Sequence, residues 1–267
     1  MCLARKTMTE QSVKFYHRAI NNTVHNIRRM DAPVIHGTNS RIYIIETFDG
    51  DKTVLRFNPR QVAHRNHDIS QVLLSHGMTV PAIDLHLYQG QYFESYPYLS
   101  GPTFQECLNA GMSKSEILDT YGVMAQQIKK MSDIPVRDFR NIENKNCSDV
   151  AQSNVVNKTD WWTLGQCVKF GTKLLNAGEQ HICHCDFTPR NVVLGDKGQM
   201  AILDLNAVSV ANINFALAFT GLSLRTNKLS PHEFYRICDD IMPGKIHPKR
   251  IDFTEQICNL YFRGYCR

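Results

Sequence analysis

The chain has 267 residues, of which 43% are hydrophobic and 21% charged, the balance of a folded globular protein with one large domain or two modest lobes. Its formal charge of +5 comes with no block of five basic residues and no basic stripe interleaved with aromatics, which argues against a nucleic-acid binder. No apolar run approaches the roughly 18 residues of a membrane span; the densest stretch, Ile213 to Leu224, is broken by Asn214, Thr220 and Gly221.

Nine cysteines, an odd count without paired spacing, read as reduced thiols rather than a disulfide framework. The opening residues MCLARKTMTEQ hold no apolar h-region, and no lipobox precedes Cys2, so a cytoplasmic location is expected.

In chain order, Val13, Tyr16, Ile20, Val24 and Ile27 recur at helical spacing, predicting an opening helix between Gln11 and Met30. Arg41 to Glu46 and Lys52 to Phe57, rich in β-branched and aromatic residues, flank Asp49-Gly50 and predict a hairpin. A helix follows from Arg65 to Ser75 with Gly77 as its stop, then a second hairpin from Asp84 to Leu99 around Gln89-Gly90. The segment from Ser113 to Met131 reads as a helix opened by the capping box Ser113-Lys-Ser-Glu116. The stretch from Asp133 to Lys158 is polar and irregular, Asp160 caps a helix that runs through Trp161 and Trp162 to Leu175, and short strands are expected near His181 to Cys183 and Met200 to Leu203. Antiparallel hairpins followed by a mainly helical remainder make an α+β protein with a smaller first lobe. The boundary falls near Ser100-Gly101-Pro102, giving lobes of residues 1–99 and 100–267.

The chemistry gathers in His184-Cys-Asp-Phe-Thr-Pro-Arg-Asn191, which sets an Asp and an Asn five residues apart in a loop, with Asp204 thirteen residues further on. Phosphoryl transfer calls for such groups. Asp186 can orient or accept the proton of an attacking hydroxyl, while Asn191 and Asp204 offer hard oxygen ligands to a Mg²⁺ ion that bridges ATP phosphates. His181, Cys183, His184 and Cys185 are Zn²⁺-type ligands, but strand alternation sends them to opposite faces and no distant CxxC pair exists. Their reading is structural, with His184 bracing the catalytic loop.

His184, Asp186, Pro189, Asn191 and Asp204 match the catalytic and metal-binding segments of the aminoglycoside phosphotransferase and choline kinase-like family, which the chain resembles. The resemblance implies a bilobal, protein kinase-like fold, with a nucleotide-binding lobe over 1–99 and a catalytic and acceptor-binding lobe over 100–267. It implies ATP and Mg²⁺ as cofactors and a small-molecule hydroxyl as acceptor, in a monomer or homodimer that neither binds nucleic acid nor enters a membrane. Gly37-Thr-Asn39-Ser40 looks like the family's phosphate loop and Val54-Leu-Arg56-Phe57 like its third strand. Tyr96 and the linker Tyr98-Leu-Ser-Gly101 fall where adenine is cradled. Asp68 is taken as the acidic partner of Arg56. The departures are Cys185 for the usual Gly, Leu205 and Asn206 for the usual aromatic and acidic residues, and Arg56 for the usual Lys.

The region from Arg225 to Arg267 holds more Lys and Arg than Asp and Glu, which favours a neutral or anionic acceptor such as a sugar, amino alcohol or envelope precursor over a polycationic aminoglycoside. Asp239 and Asp240 read as a solvated helix face. The alternatives are a nucleotide-binding pseudokinase and a protein Ser/Thr kinase; the chain lacks Phe-Gly after Asp204 and a closing Ala-Pro-Glu, which counts against the second.

Overall fold

Alternating β-branched and aromatic residues build the first part of the chain as a sheet. The computed structural model describes residues 24–30, 41–47, 50–88, 90–139, 142, 178–195, 199–252 and 255. It divides into two units, Met1–His67 with Ala82–Tyr98, and Asp68–Pro81 with Leu99–Arg267.

The first unit is a five-stranded antiparallel sheet made of β1 (Val24–Met30), β2 (Arg41–Thr47), β3 (Lys52–Phe57), β4 (Asp84–Tyr88) and β5 (Gln91–Pro97), in the order β1-β2-β3-β5-β4. Both predicted hairpins are present, β2–β3 and β4–β5. Tyr43, Ile45, Leu55 and Phe93 occupy one face and are almost wholly buried. Phe57 and Phe93 stack with centroids 5.6 Å apart, and Tyr43 meets Phe57 edge-on at 6.0 Å. The period of two places Val54, Arg56, Glu94 and Tyr96 on the opposite face.

β1 corrects the expected opening helix over its last seven residues. Val24 to Met30 pair antiparallel with β2, with an irregularity between Val24 and Asn26. The helical spacing of the apolar residues is genuine, but the edge of β2 offers this segment a ladder of backbone hydrogen bonds, and such context overrides local pattern. The rest of that expected helix lies outside the described residues.

Helix α1 (Arg60–Ser75) begins five residues before its predicted start. Its buried stripe includes Arg65, Asn66 and Ser70 beside Ala63, Ile69 and Leu73, so a hydrophobic pattern alone misses the first turns. The stop is as predicted: Gly77 adopts φ 69°, with its N–H on the Leu74 carbonyl at 2.8 Å and Met78 N–H on that of Leu73 at 3.0 Å.

The second unit takes the C-terminal part of α1 and continues with α2 (Phe104–Asn109) and α3 (Lys114–Ser132), each of these two started by a complete capping box, Thr103 with Glu106 and Ser113 with Glu116. Tyr121 of α3 is fully buried between Phe104 and Phe234, meeting each ring edge-on. After a 3₁₀ turn at Val136–Phe139, the helix expected from Asp160 to Leu175 lies outside the described residues. Two short ladders follow, β6 (His181–His184) with β9 (Val208–Ala211) and β7 (Val192–Leu194) with β8 (Met200–Ile202). Helix α4 (Ile213–Thr226) is buried on most sides and α5 (Pro231–Ile241) packs Phe234 and Cys238 inward; Asp239 and Asp240 on α5 are exposed. Among the described residues no helix is long and apolar enough to cross a membrane.

Candidate active site

Two short ladders bring three distant side chains to one place. β6 ends at His184, which pairs with Val208 of β9, so the loop after β6 and the 3₁₀ turn Leu205–Ala207 before β9 share one end of the ladder. Cys185 N–H closes that end by donating to the Ala207 carbonyl at 3.0 Å. In the other ladder Val192 pairs with Ile202, and Leu203 N–H donates to the Asn191 carbonyl at 2.8 Å. Asn191 therefore sits beside Leu203, one residue from Asp204.

Asn191 Nδ2 donates to both the Asp186 carbonyl, at 2.8 Å, and Asp186 Oδ2, at 3.0 Å. With its amide nitrogen committed, the side chain turns Oδ1, an acceptor only, away from Asp186. Burial, and secondarily the nearby Asp204 charge, push the Asp186 carboxyl up to about 7, against the smaller opposing pull of Asn191 and Arg190. A carboxyl held there takes up and releases a proton near neutrality, as a general base must.

His184 is the brace. Its Nδ1 accepts from Asp186 N–H at 3.2 Å, which leaves Nε2 to donate to the Leu203 carbonyl at 2.8 Å. One buried imidazole thus ties the Asp186 loop to the strand that leads to Asp204. Burial holds its pKa below the ordinary value, so the ring is neutral and suited to this donor and acceptor role. Asp204 itself has φ 53° and ψ 58°, a left-handed conformation that costs a non-glycine residue on the order of 1–3 kcal/mol and concentrates at working sites.

Cys107, Cys183 and Cys238 are free thiols, whereas Cys185 is disulfide-bonded, a departure from the reduced state expected throughout. Burial raises the Cys183 thiol to about 12, so it is no thiolate ligand at neutral pH.

The family model described as the phosphotransferase enzyme family matches residues 32–229. The chain belongs to this family. It is a phosphotransferase, and its fold is the kinase-like fold of solved phosphotransferases. One is spectinomycin phosphotransferase, solved with ADP and spectinomycin, at 13% identity and TM-score 0.68 over 96% of this chain and 86% of that one. Another is amicoumacin kinase, solved with AMP-PNP and Ca²⁺, at 10% identity and TM-score 0.69 over 97% and 86%. A third is the macrolide 2′-phosphotransferase of Brachybacterium faecium, at 15% identity and TM-score 0.65 over 96% and 91%. No curated protein sequence matches the chain.

Of the residues singled out in the sequence, Asp186, Asn191 and Asp204 come together in the second unit. In the first unit Arg56 and Tyr96 share a sheet face, and Tyr98 is 37% exposed just past β5, its N–H on the Lys52 carbonyl at 2.9 Å. Asp68 is exposed on α1. Gly37, Asn39 and Ser40 lie outside the described residues. Sequence reasoning missed Glu94, the carboxylate that the sheet sets directly across from Arg56. Its signal was a lone acid inside the strand Gln91-Tyr-Phe-Glu-Ser-Tyr-Pro97.

Proposed function

We propose that this phosphotransferase moves the γ-phosphoryl group of Mg-ATP to a hydroxyl of a small molecule, with Asp186 as the base. The observation that carries the reading is the pairing of the half-buried Asp186 carboxylate with the Asn191 amide, with Asp204 beside it. Asn191 fixes the direction of one Asp186 oxygen, and the other is left to accept the acceptor's hydroxyl hydrogen. Burial raises the basicity of that oxygen, so proton removal can accompany attack on the phosphorus.

The donor set fits magnesium. Asn191 Oδ1 and the Asp204 carboxylate are hard oxygens, and a small divalent cation holding phosphate needs only one or two such protein ligands. Bound there, the ion would neutralise developing phosphate charge. Asn206, in the 3₁₀ turn after Asp204, adds no further carboxylate. The first unit would be the nucleotide lobe, with Arg56 and the Gly37 to Ser40 loop on phosphates and Tyr96 and Tyr98 beside adenine. The second would be the catalytic and acceptor lobe.

The surplus of Lys and Arg between Arg225 and Arg267 supports a neutral or anionic acceptor: a sugar, an amino alcohol or a phosphorylated envelope precursor. ATP as donor supports a cytoplasmic setting, and the chemistry calls on neither nucleic acid nor membrane, in a monomer or a homodimer.

The test follows label from γ-labelled ATP in mixtures of pooled metabolites, envelope sugars, aminoglycosides and a generic protein. Label should appear on a small molecule, and Asp186→Asn should slow its transfer by about 10²–10⁴-fold while retaining ATP binding. Label on protein, or a fully active Asp186→Asn enzyme, would overturn the assignment.

A further inference from the structure

In the loop from Asp186 to Asn191 most polar groups answer one another. Thr188 N–H donates to the Asp186 carbonyl at 2.8 Å and Asn191 N–H to that of Thr188 at 2.9 Å. Asp186 N–H donates to His184, and the Asn191 amide donates twice to Asp186. Phe187 and Pro189 are buried. Three side-chain groups are left over: the second oxygen of Asp186, the Thr188 hydroxyl and the Arg190 guanidinium. Thr188 is half-buried and its hydroxyl makes no hydrogen bond among the described residues. Arg190 is exposed, and among the same residues it makes neither a hydrogen bond nor an ion pair.

One of these three groups is the base, so the other two are donors that an acceptor meets beside it. Arg190 precedes Asn191 in the 3₁₀ turn Pro189–Asn191, consecutive Cα atoms lie about 3.8 Å apart, and the Asn191 side chain touches the Asp186 carboxylate at 3.0 Å. Burial, the largest influence on that carboxyl, raises it, and the Arg190 charge is among those that lower it; the guanidinium is therefore within electrostatic range of the base. A cation in that place weakens a base, and Arg190 ties no element of the second unit to another. Its use lies in what it binds.

We infer that Arg190, with the Thr188 hydroxyl from the same loop, recognises a negatively charged group of the acceptor, a phosphate or a carboxylate carried close to the hydroxyl that is phosphorylated. This rests on the phosphotransfer reading above and narrows its acceptor from neutral or anionic to anionic. A guanidinium presents paired N–H donors in a plane that matches the oxygens of either group. In that reading the nucleotide phosphates are met through magnesium on Asn191 and Asp204, which leaves Arg190 for the second substrate. Two other cations of this unit already have partners, Arg225 with Glu255 at 2.7 Å and Lys114 with Glu233 at 3.0 Å.

The experiment saturates the full chain with Mg-AMP-PNP and measures the binding of labelled inorganic phosphate by equilibrium dialysis. The wild type should bind phosphate saturably, and Arg190→Gln should weaken that binding by about 10-fold or more, as the loss of a charge-assisted contact does. Arg190→Lys should lose less, because it keeps the charge. Arg236→Gln, which removes an exposed cation from α5, should change the affinity by less than about twofold. Melting temperatures taken alongside show that the variants are folded. In the transfer from γ-labelled ATP, the labelled product should carry a second anionic group and bind an anion exchanger more tightly than a simple monophosphate ester. Phosphate bound equally by the wild type and Arg190→Gln would overturn the inference, as would no saturable binding at all or a labelled product whose only anion is the new phosphate. A loss of Mg-mant-ATP affinity above about fivefold in Arg190→Gln would assign the residue to the phosphoryl donor and overturn it too. A wild type that fails to bind Mg-mant-ATP would sink the phosphotransfer reading and this inference with it; nucleotide binding without an Arg190-dependent phosphate site would sink the inference alone.

Discussion

As the proposed base, Asp186 would carry two demands that pull in opposite directions: it must be basic enough to take a proton and ionised often enough to act. Burial, and secondarily Asp204, lift it to about 7, so both protonation states are populated near neutral pH. The sign follows directly. A base works only when deprotonated, so kcat/KM, once the acceptor is known, should fall by about tenfold per pH unit below 7 and level off above it. A plateau reaching down to pH ~5 would mean an ordinary carboxylate and a different base. Asp186, Asn191 and Asp204 were legible in the sequence because motif spacing is a covalent property. Glu94 was not, because its meaning depends on which strand lies opposite, and β5 finds β3 only after α1 and β4 have intervened.

At the scale of elements, legibility followed local signals. The capping box of α3 announced itself in Ser113 and Glu116, and both reciprocal hydrogen bonds are present. The same signature at Thr103 and Glu106 opens α2, yet a six-residue helix has too few turns to show a period, and it went unread. β7 and β9, of three and four residues, are set by pairing partners rather than by their own pattern, and β1 was misread for the same reason. Gly101 shows where backbone geometry, more than pattern, fixes the chain. It has φ 127°, and a Cβ there would lie 2.3 Å from the Leu194 carbonyl oxygen of β7. The neighbouring Leu194 N–H bonds the Pro102 carbonyl at 2.9 Å. Gly101→Ala should therefore destabilise the fold by about 1–3 kcal/mol, measured by urea unfolding; a loss under ~0.5 kcal/mol would mean that the segment yields freely.

For the whole molecule, α+β class and the kinase-like fold could be read before any coordinates, because hairpin signals cluster in the first hundred residues and the catalytic spacing lies in the second unit. The order of the strands and the division of α1 between units could not, since both arise from long-range contacts. Ligand linkage gives a global check. At 100 times its dissociation constant, Mg-ATP should stabilise the folded chain by about 2.7 kcal/mol, seen as a raised Tm, and a chelator should remove much of that shift. An equal shift with and without the chelator would deny Asn191 and Asp204 a metal.

The register of Arg56 against Glu94 is a property of the sheet rather than of a side-chain contact. A residue carried by a helix can shift with that helix as a rigid body. One that is stitched into a hydrogen-bonded ladder stays in place unless the sheet itself comes apart. Held in this way, the two residues keep their backbone spacing across β3 and β5 for as long as the ladder is intact.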